Sequence, residues 1–208
     1  MMRLLEIPRQ VAESVFSIVG IRVGTEEPHY LATKLSGQVE IRRYGPRIAA
    51  ETTVSADEDR ARNIGFRRLA GYIFGGNHRD ETIAMTAPVS QQSREKIAMT
   101  APVAQARDGE NSTIRFYMPS KWTMDTLPTP DDENVRLVQV PGETVAVLRF
   151  TGDRSPQAVA ERTRELSATL RANGIEAVGP PQSWFYDPPW TLPFRRRNEI
   201  AIPVRPTD

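Results

Sequence analysis

The stretch Gln38 to Val54, QVEIRRYGPRIAAETTV, decides how the chain is read. Gln38 to Arg43 alternates polar residues with apolar Val39 and Ile41, the period-two pattern of a strand with one buried face. Tyr44-Gly45-Pro46 then turns the chain, and Arg47 to Val54 reads as a second strand. The pair predicts a hairpin.

Working downstream, residues 57 to 74 contain no proline and place Ala61, Gly65, Leu69, Tyr72 and Ile73 on one helical face. Gly75-Gly76-Asn77 ends that helix with residues tolerant of positive φ. A second helix opens at Ser155-Pro156, an N-cap followed by proline at the first helical position. Its stripe is Val159, Leu166 and Leu170, and Asn173-Gly174 closes it. Strand-like segments occupy Thr113 to Met118, Val135 to Val140, Thr144 to Phe150, Trp184 to Tyr186 and Glu199 to Val204, each bounded by turn residues. Two rounds of hairpin, helix and strands predict an α+β domain of two related halves, with two helices packed on mostly antiparallel sheet.

Upstream, residues 24 to 37 read as a polar linker, and Val11, Val15, Ile18 and Val19 form an amphipathic helical stripe. The chain therefore divides into an N-terminal helix and linker, 1–37, and a main domain, 38–208. Glu6, Arg9 and Glu13 interrupt the apolar opening, so it is not read as a secretory leader. No stretch reaches the ~20 apolar residues of a membrane span. The helix either docks on the domain or makes peripheral membrane contact through residues 4–21.

Composition narrows the chemistry. Lys and Arg total 27 against 26 Asp and Glu, so no global field draws the protein to nucleic acid. Cysteine is absent, which excludes thiolate nucleophiles, iron–sulfur clusters and thiolate-ligated haem, and fits a cytoplasmic protein. The two histidines, His29 and His78, have no partners at metal-site spacing. There is no Gly-x-Ser-x-Gly elbow, phosphate loop or His-Glu-x-x-His motif, so no catalytic constellation is expected.

One heptad occurs twice: Ile83-Ala84-Met85-Thr86-Ala87-Pro88-Val89 returns as Ile97-Ala98-Met99-Thr100-Ala101-Pro102-Val103. The intervening Ser90 to Lys96 is turn-like, so the copies are candidates to pair as a hairpin. Because they are identical, either copy suits the same slot.

These motifs together resemble the SOUL/haem-binding-protein family. Val39 to Pro46 is similar to that family's opening strand and turn. Gly65-Phe66-Arg67-Arg68-Leu69, continuing to Asn77, looks like its first helix, and the repeated heptad like its most recognisable strand. Phe116 to Ser120, Leu127-Pro128 and Arg196 to Glu199 follow in the family's order. The resemblance covers Gln38 to Val204 and implies a distorted antiparallel β-barrel with two packed helices, built from two pseudo-symmetric βαββ-like halves. It also implies non-covalent binding of haem or metal-free porphyrin. Relatives that ligate iron through histidine carry it directly before Tyr-Gly-Pro, where this chain has Arg43. The resemblance then points to an apolar cleft with a basic rim.

A porphyrin is an apolar disc with two carboxylates on one edge. Phe66, Ala70 and Phe74 recur every four residues beside the core stripe, forming a second ridge flanked by Arg62 and Arg67. Tyr186 and Trp190, in the proline-rich segment 184–194, are candidates for a second wall, with Trp184 more suited to plugging a barrel. Arg196, within Arg195-Arg196-Arg197, is a candidate partner for the propionates. Met99, like Met85, serves either as core filler or as a haem-facing thioether. The expected function is reversible tetrapyrrole binding for buffering, storage or transfer. An enzyme acting on a bound small molecule, and a protein-interaction or membrane-peripheral module, stand as alternatives.

Overall fold

The computed structural model describes residues 25–82, 90–187 and 191–206. The amphipathic segment 4–21, the first heptad copy and Trp190 lie outside them.

Both strands form, as β2 (Val39–Tyr44) and β3 (Arg47–Ser55), but the predicted hairpin does not: the chain turns at Gly45-Pro46 and the two strands pair with other partners. Strand β2 pairs with β10 (Glu143–Phe150), and β3 lies between β7 (Asn111–Tyr117) and β9 (Arg136–Val140). With β1 (Tyr30–Ser36), β6 (Val103–Asp108), β11 (Gln182–Phe185) and β12 (Asn198–Pro203), they form one antiparallel sheet in the order β1-β2-β10-β12-β11-β6-β7-β3-β9. The sheet curls into a half-barrel.

That order carries the predicted pseudo-symmetry. About an axis between β11 and β6, β12 corresponds to β7, β10 to β3 and β2 to β9. Each half thus lends its first strand to the edge of the other. Helix α1 (Glu58–Ile73) packs on β3 and β7, and α2 (Pro156–Ala172) on β10 and β12, the equivalent strands.

Both helices start where capping chemistry puts them. The Asp57 carboxylate accepts the Arg60 N–H ahead of α1, and the Ser155 hydroxyl accepts the Ala158 N–H ahead of α2. Three apolar clusters result. Leu69, Tyr72 and Ile73 of α1 pack with Ile114 and Phe116 on one half of the convex face. Val159, Leu166 and Leu170 of α2 pack with Leu148, Phe185 and Ile200 on the other. The concave face holds Tyr44, Tyr117, Val145, Trp184, Tyr186 and Ala201.

Three sequence expectations need correction. The sheet begins at Tyr30 rather than Gln38, because β1 is an edge strand largely exposed along its length and shows no buried alternation. A small sheet of β5 (Ser90–Ser93), β4 (Asn77–Thr82) and β8 (Thr129–Pro130) also escaped notice, its strands being short and polar. Finally, the stretch between the copies is not simply a turn, because Ser90–Ser93 is strand β5, paired with β4; pairing of the two copies involves the first copy, which lies outside the described residues. In the second copy the Ile97 N–H bonds to the Ile73 carbonyl, Thr100 bridges Glu26, and Val103 begins β6. Ile97, Thr100 and Ala101 of this copy are buried.

Candidate functional site

The apolar ridge on α1 exists and faces outward. The core stripe Ala61, Gly65, Leu69, Tyr72 and Ile73 is buried, whereas Phe66 is 37 % exposed and Phe74 59 %. Ala70 between them is half-buried. An exposed apolar residue is unremarkable singly, but two phenylalanines two turns apart on one helix form a continuous surface. Phe66 is anchored from below, edge-on to Phe116 of β7 with ring centroids 5.3 Å apart.

Met99 lies on a segment tied to α1 at one end and to β7 at the other. The segment runs from the last turn of α1, where Ile97 is tied to Ile73, to Val103, which pairs with the same Phe116 that supports Phe66. Met99 lies between those anchors and is 37 % exposed, flanked by buried Ile97 and Thr100. A methionine inside an apolar heptad is ordinarily core; this one is turned outward.

Arginines stand near the N-terminal half of α1, beside an acidic first turn of Glu58 and Asp59. Arg62, one turn before Phe66, pairs with Asp59 and sets its guanidinium 5.0 Å from the centroid of the Phe185 ring. Arg196 donates from Nε to the Thr191 carbonyl at 2.7 Å. Arg67 is exposed on α1. Arg154 was missed in the sequence: its guanidinium also lies over Phe185, at 5.6 Å, and donates to the Asp187 carbonyl. Nothing in the run Asp153-Arg154-Ser155-Pro156 signals that role, since it reads as a helix cap.

Tyr186 is corrected. It belongs to the concave cluster, on the side of the sheet away from α1, and its hydroxyl donates to Glu199 Oε2 at 2.6 Å. Trp184, fully buried in the same cluster, fills the half-barrel interior as expected of a plug. Neither faces the ridge.

The concave face also holds a buried ionic network that sequence reading did not find. Glu199 receives two bonds from Arg42, one from Arg197 Nε at 2.8 Å and one from Tyr186. Arg197 stacks on the Tyr186 ring at 3.8 Å and reaches Glu27. Burial pushes the Tyr186 hydroxyl well above its ordinary value, and the Glu199 charge adds to the effect. With every partner charged or hydrogen-bonded to a charge, the network is satisfied and structural in character.

Histidine offers little to iron here. Arg43, at the position of the histidine in some relatives, is exposed, and His78 Nδ1 lies 2.6 Å from Asp131 Oδ1. Among the described residues no group of three His, Asp or Glu side chains converges on a metal position. No helix among them is long and apolar enough to cross a membrane.

Comparisons with known proteins place the chain in a family. The family model described as SOUL heme-binding protein matches residues 25–203. The chain is 33 % identical over 170 residues to mouse Heme-binding protein 2, covering 80 % of this chain and 78 % of that one. It is 25 % identical over 161 residues to bovine Heme-binding protein 1, covering 76 % and 78 %. Among solved structures, the EcmrR C-terminal domain superposes with a TM-score of 0.59 at 11 % identity, over 86 % of this chain and 99 % of that one, a likeness of fold. The match across nearly all the described residues, together with 33 % identity to mouse Heme-binding protein 2 over 80 % of the chain, makes the chain a member of the SOUL heme-binding family.

Proposed function

We propose that the protein binds haem or a related porphyrin reversibly and non-covalently along the exposed ridge of α1, for buffering, storage or transfer rather than turnover. The observation that carries this is the solvent-facing line Phe66, Ala70 and Phe74, in a family described as haem-binding and similar to proteins named for that ligand. Eight residues of helix separate the two phenylalanines, about 12 Å of apolar surface at 1.5 Å per residue, the scale of a porphyrin ring. Ala70 leaves a shallow seat between two larger side chains. Met99, exposed on the segment that follows α1, would offer a thioether to such a ligand. Bound there, the macrocycle would exchange water for hydrocarbon on one face, and the guanidiniums of Arg62 and Arg67 would orient its carboxylate edge.

Titration of the purified protein with haemin tests the reading. A saturable shift of the main porphyrin absorption band is expected. A wholly non-saturable response, while albumin under the same conditions saturates, would overturn it.

A further inference from the structure

The chain joins the domain at a fixed point. Glu26 forms a parallel bridge with Thr100, its carbonyl accepts the Ala101 N–H at 3.0 Å, and its Oε1 accepts the Ser120 N–H at 2.8 Å. Glu27 beside it receives a bond from Arg197 at 3.0 Å. Because the bridge is parallel, Thr25 lies on the Met99 side of Glu26. Thr100 stands midway between two anchors of the α1 ridge: Ile97, tied to Ile73 in the last turn of the helix, and Val103, paired with the Phe116 that supports Phe66. At ~3.3 Å per residue, both anchors fall within ~10 Å of the point where the chain enters.

The described residues leave Phe66 and Phe74 open to solvent, and a continuous apolar surface of that kind marks a contact. The sequence ahead of Thr25 carries a matching face. At 3.6 residues per turn, Leu4, Val11, Val15 and Ile18 fall within about 60° of one another, with Glu6, Arg9 and Glu13 on the opposite side. Pro8 suits the first position of a helix and Gly20 its end. Pro8 to Val19 would make ~18 Å of helix, enough to cover the ~12 Å from Phe66 to Phe74. Val19 stands six residues before Thr25, a reach of up to ~20 Å, about twice what the anchors require. Tethering over so short a span gives an effective concentration of about a millimolar, at which a weak contact suffices. The polar face, with two acids and one arginine, lacks the lysine and arginine of a helix that lies on an anionic membrane, whereas exposed Arg67 borders the ridge.

We propose that residues 8–19 form a helix whose stripe of Val11, Val15 and Ile18 docks on Phe66, Ala70 and Phe74 of the same chain, and that this self-docking competes with porphyrin for the ridge. The docking stands on the ridge and the entry point; the competition rests on the binding reading above. A ligand then binds only the undocked fraction, and its apparent affinity falls in proportion.

The cysteine-free chain suits disulfide trapping. Full-length double variants pair Ala70→Cys with Val11→Cys, Val15→Cys or Ile18→Cys on the stripe, and with Glu13→Cys on the polar face. Val15→Cys with Ala168→Cys, exposed on α2, is the control. Circular dichroism and melting confirm that each variant is folded. Under mild oxidation of dilute protein, at least one stripe position is expected to close an intramolecular disulfide with Ala70→Cys about tenfold faster than Glu13→Cys does, and faster than the α2 control. Fluorescence titration with metal-free mesoporphyrin should then show about tenfold weaker binding to the trapped form than to the same variant reduced. The full-length Val15→Asp, Ile18→Asp double variant, undocked, should bind about threefold more tightly than the wild type. Equal coupling of stripe and polar-face positions, or disulfides only between two molecules, overturns the docking. Flotation of the full chain with phosphatidylserine vesicles in the absence of trapping assigns the segment to a membrane and overturns it too. Trapping with equal mesoporphyrin affinity in the oxidised and reduced forms overturns the competition alone. Trapping in a protein that binds no mesoporphyrin in any form overturns the binding reading, and the competition with it, and leaves the docking standing.

Discussion

Arg42 and Glu199 meet across an intervening strand. Their two-pronged ion pair, Nη1 to Oε2 at 2.8 Å and Nη2 to Oε1 at 3.1 Å, joins β2 to β12 over β10, which pairs with both. Since β2 comes from the first half of the chain and β12 from the second, the pair ties the halves together on the concave face. Both side chains are buried, so their attraction works against a large desolvation cost that hydrogen bonds must offset.

Breaking one side of this pair should therefore be costly. Glu199→Gln leaves Arg42 and Arg197 facing a neutral amide, and Arg42→Met leaves a buried carboxylate without its main partner. Each is expected to lose ~3–5 kcal/mol of unfolding free energy, read as a lower urea midpoint at unchanged slope.

The same network sets an acid limit. Burial alone would raise the Glu199 carboxyl, but the bonds from Arg42, the charges of Arg42 and Arg197, and the Tyr186 hydroxyl overcome it and hold the group below its ordinary value of 4.5. A depressed acid stabilises the folded state above its unfolded value, and that contribution fades as pH falls toward the lower folded value. The wild type should lose stability on acidification below about pH 4.5, with Glu199→Gln, measured by urea unfolding at each pH, losing less over that interval.

Much of this architecture was legible because its determinants are local. Asp57 and Ser155 cap helices, Gly75 and Gly174 adopt positive φ just beyond the helix C-caps, and Val39 and Ile41 alternate with polar neighbours. Strand β1 was not legible, since an exposed edge needs no alternation. The ridge at Phe66 and Phe74 followed from helical period, whereas the Arg42–Glu199 pair and the meeting of Arg62 with Arg154 depend on residues 157 and 92 positions apart. Pattern reading carries no information about such partners. Tyr186 was misplaced for a related reason: an aromatic near prolines gives no sign of which side of a curled sheet it faces.

Gly65 sits where α1 approaches the sheet most closely. A Cβ there would lie 2.7 to 2.9 Å from the Cδ1, Cγ1 and Cβ atoms of Ile114. Gly65→Ala gains helix propensity of ~1 kcal/mol, but overpacking a rigid strand costs ~1–3 kcal/mol. Net destabilisation is expected, and Ile114→Val in the same chain should recover part of it by removing the Cδ1 contact.

On the binding face, Phe66→Asp should weaken porphyrin affinity roughly tenfold to a hundredfold, the ~1.5–3 kcal/mol that one phenylalanine ring contributes when covered. Because Phe66 is only 37 % exposed and packs on Phe116, circular dichroism and melting must first establish that the variant is folded before affinities are compared. Arg43→Ala alters an exposed side chain away from α1 and should leave both haemin affinity and the bound absorption spectrum unchanged. Equal losses in the two variants would place the ligand elsewhere.

Arg154 offers a separate check, in the ligand-free protein. Its guanidinium is lowered by burial and by Arg62 and Arg196, which means that the folded surroundings disfavour its charge. For a base the sign is the reverse of the Glu199 case: a depressed folded value marks a group that opposes folding while protonated, at every pH below that value. Arg154→Gln gives up one bond to the Asp187 carbonyl and its packing on Phe185, and relieves the repulsion. The melting temperature of the ligand-free variant should therefore hold or rise. A large fall in the ligand-free melting temperature would instead make Arg154 a structural residue, held in place for the contact with Asp187.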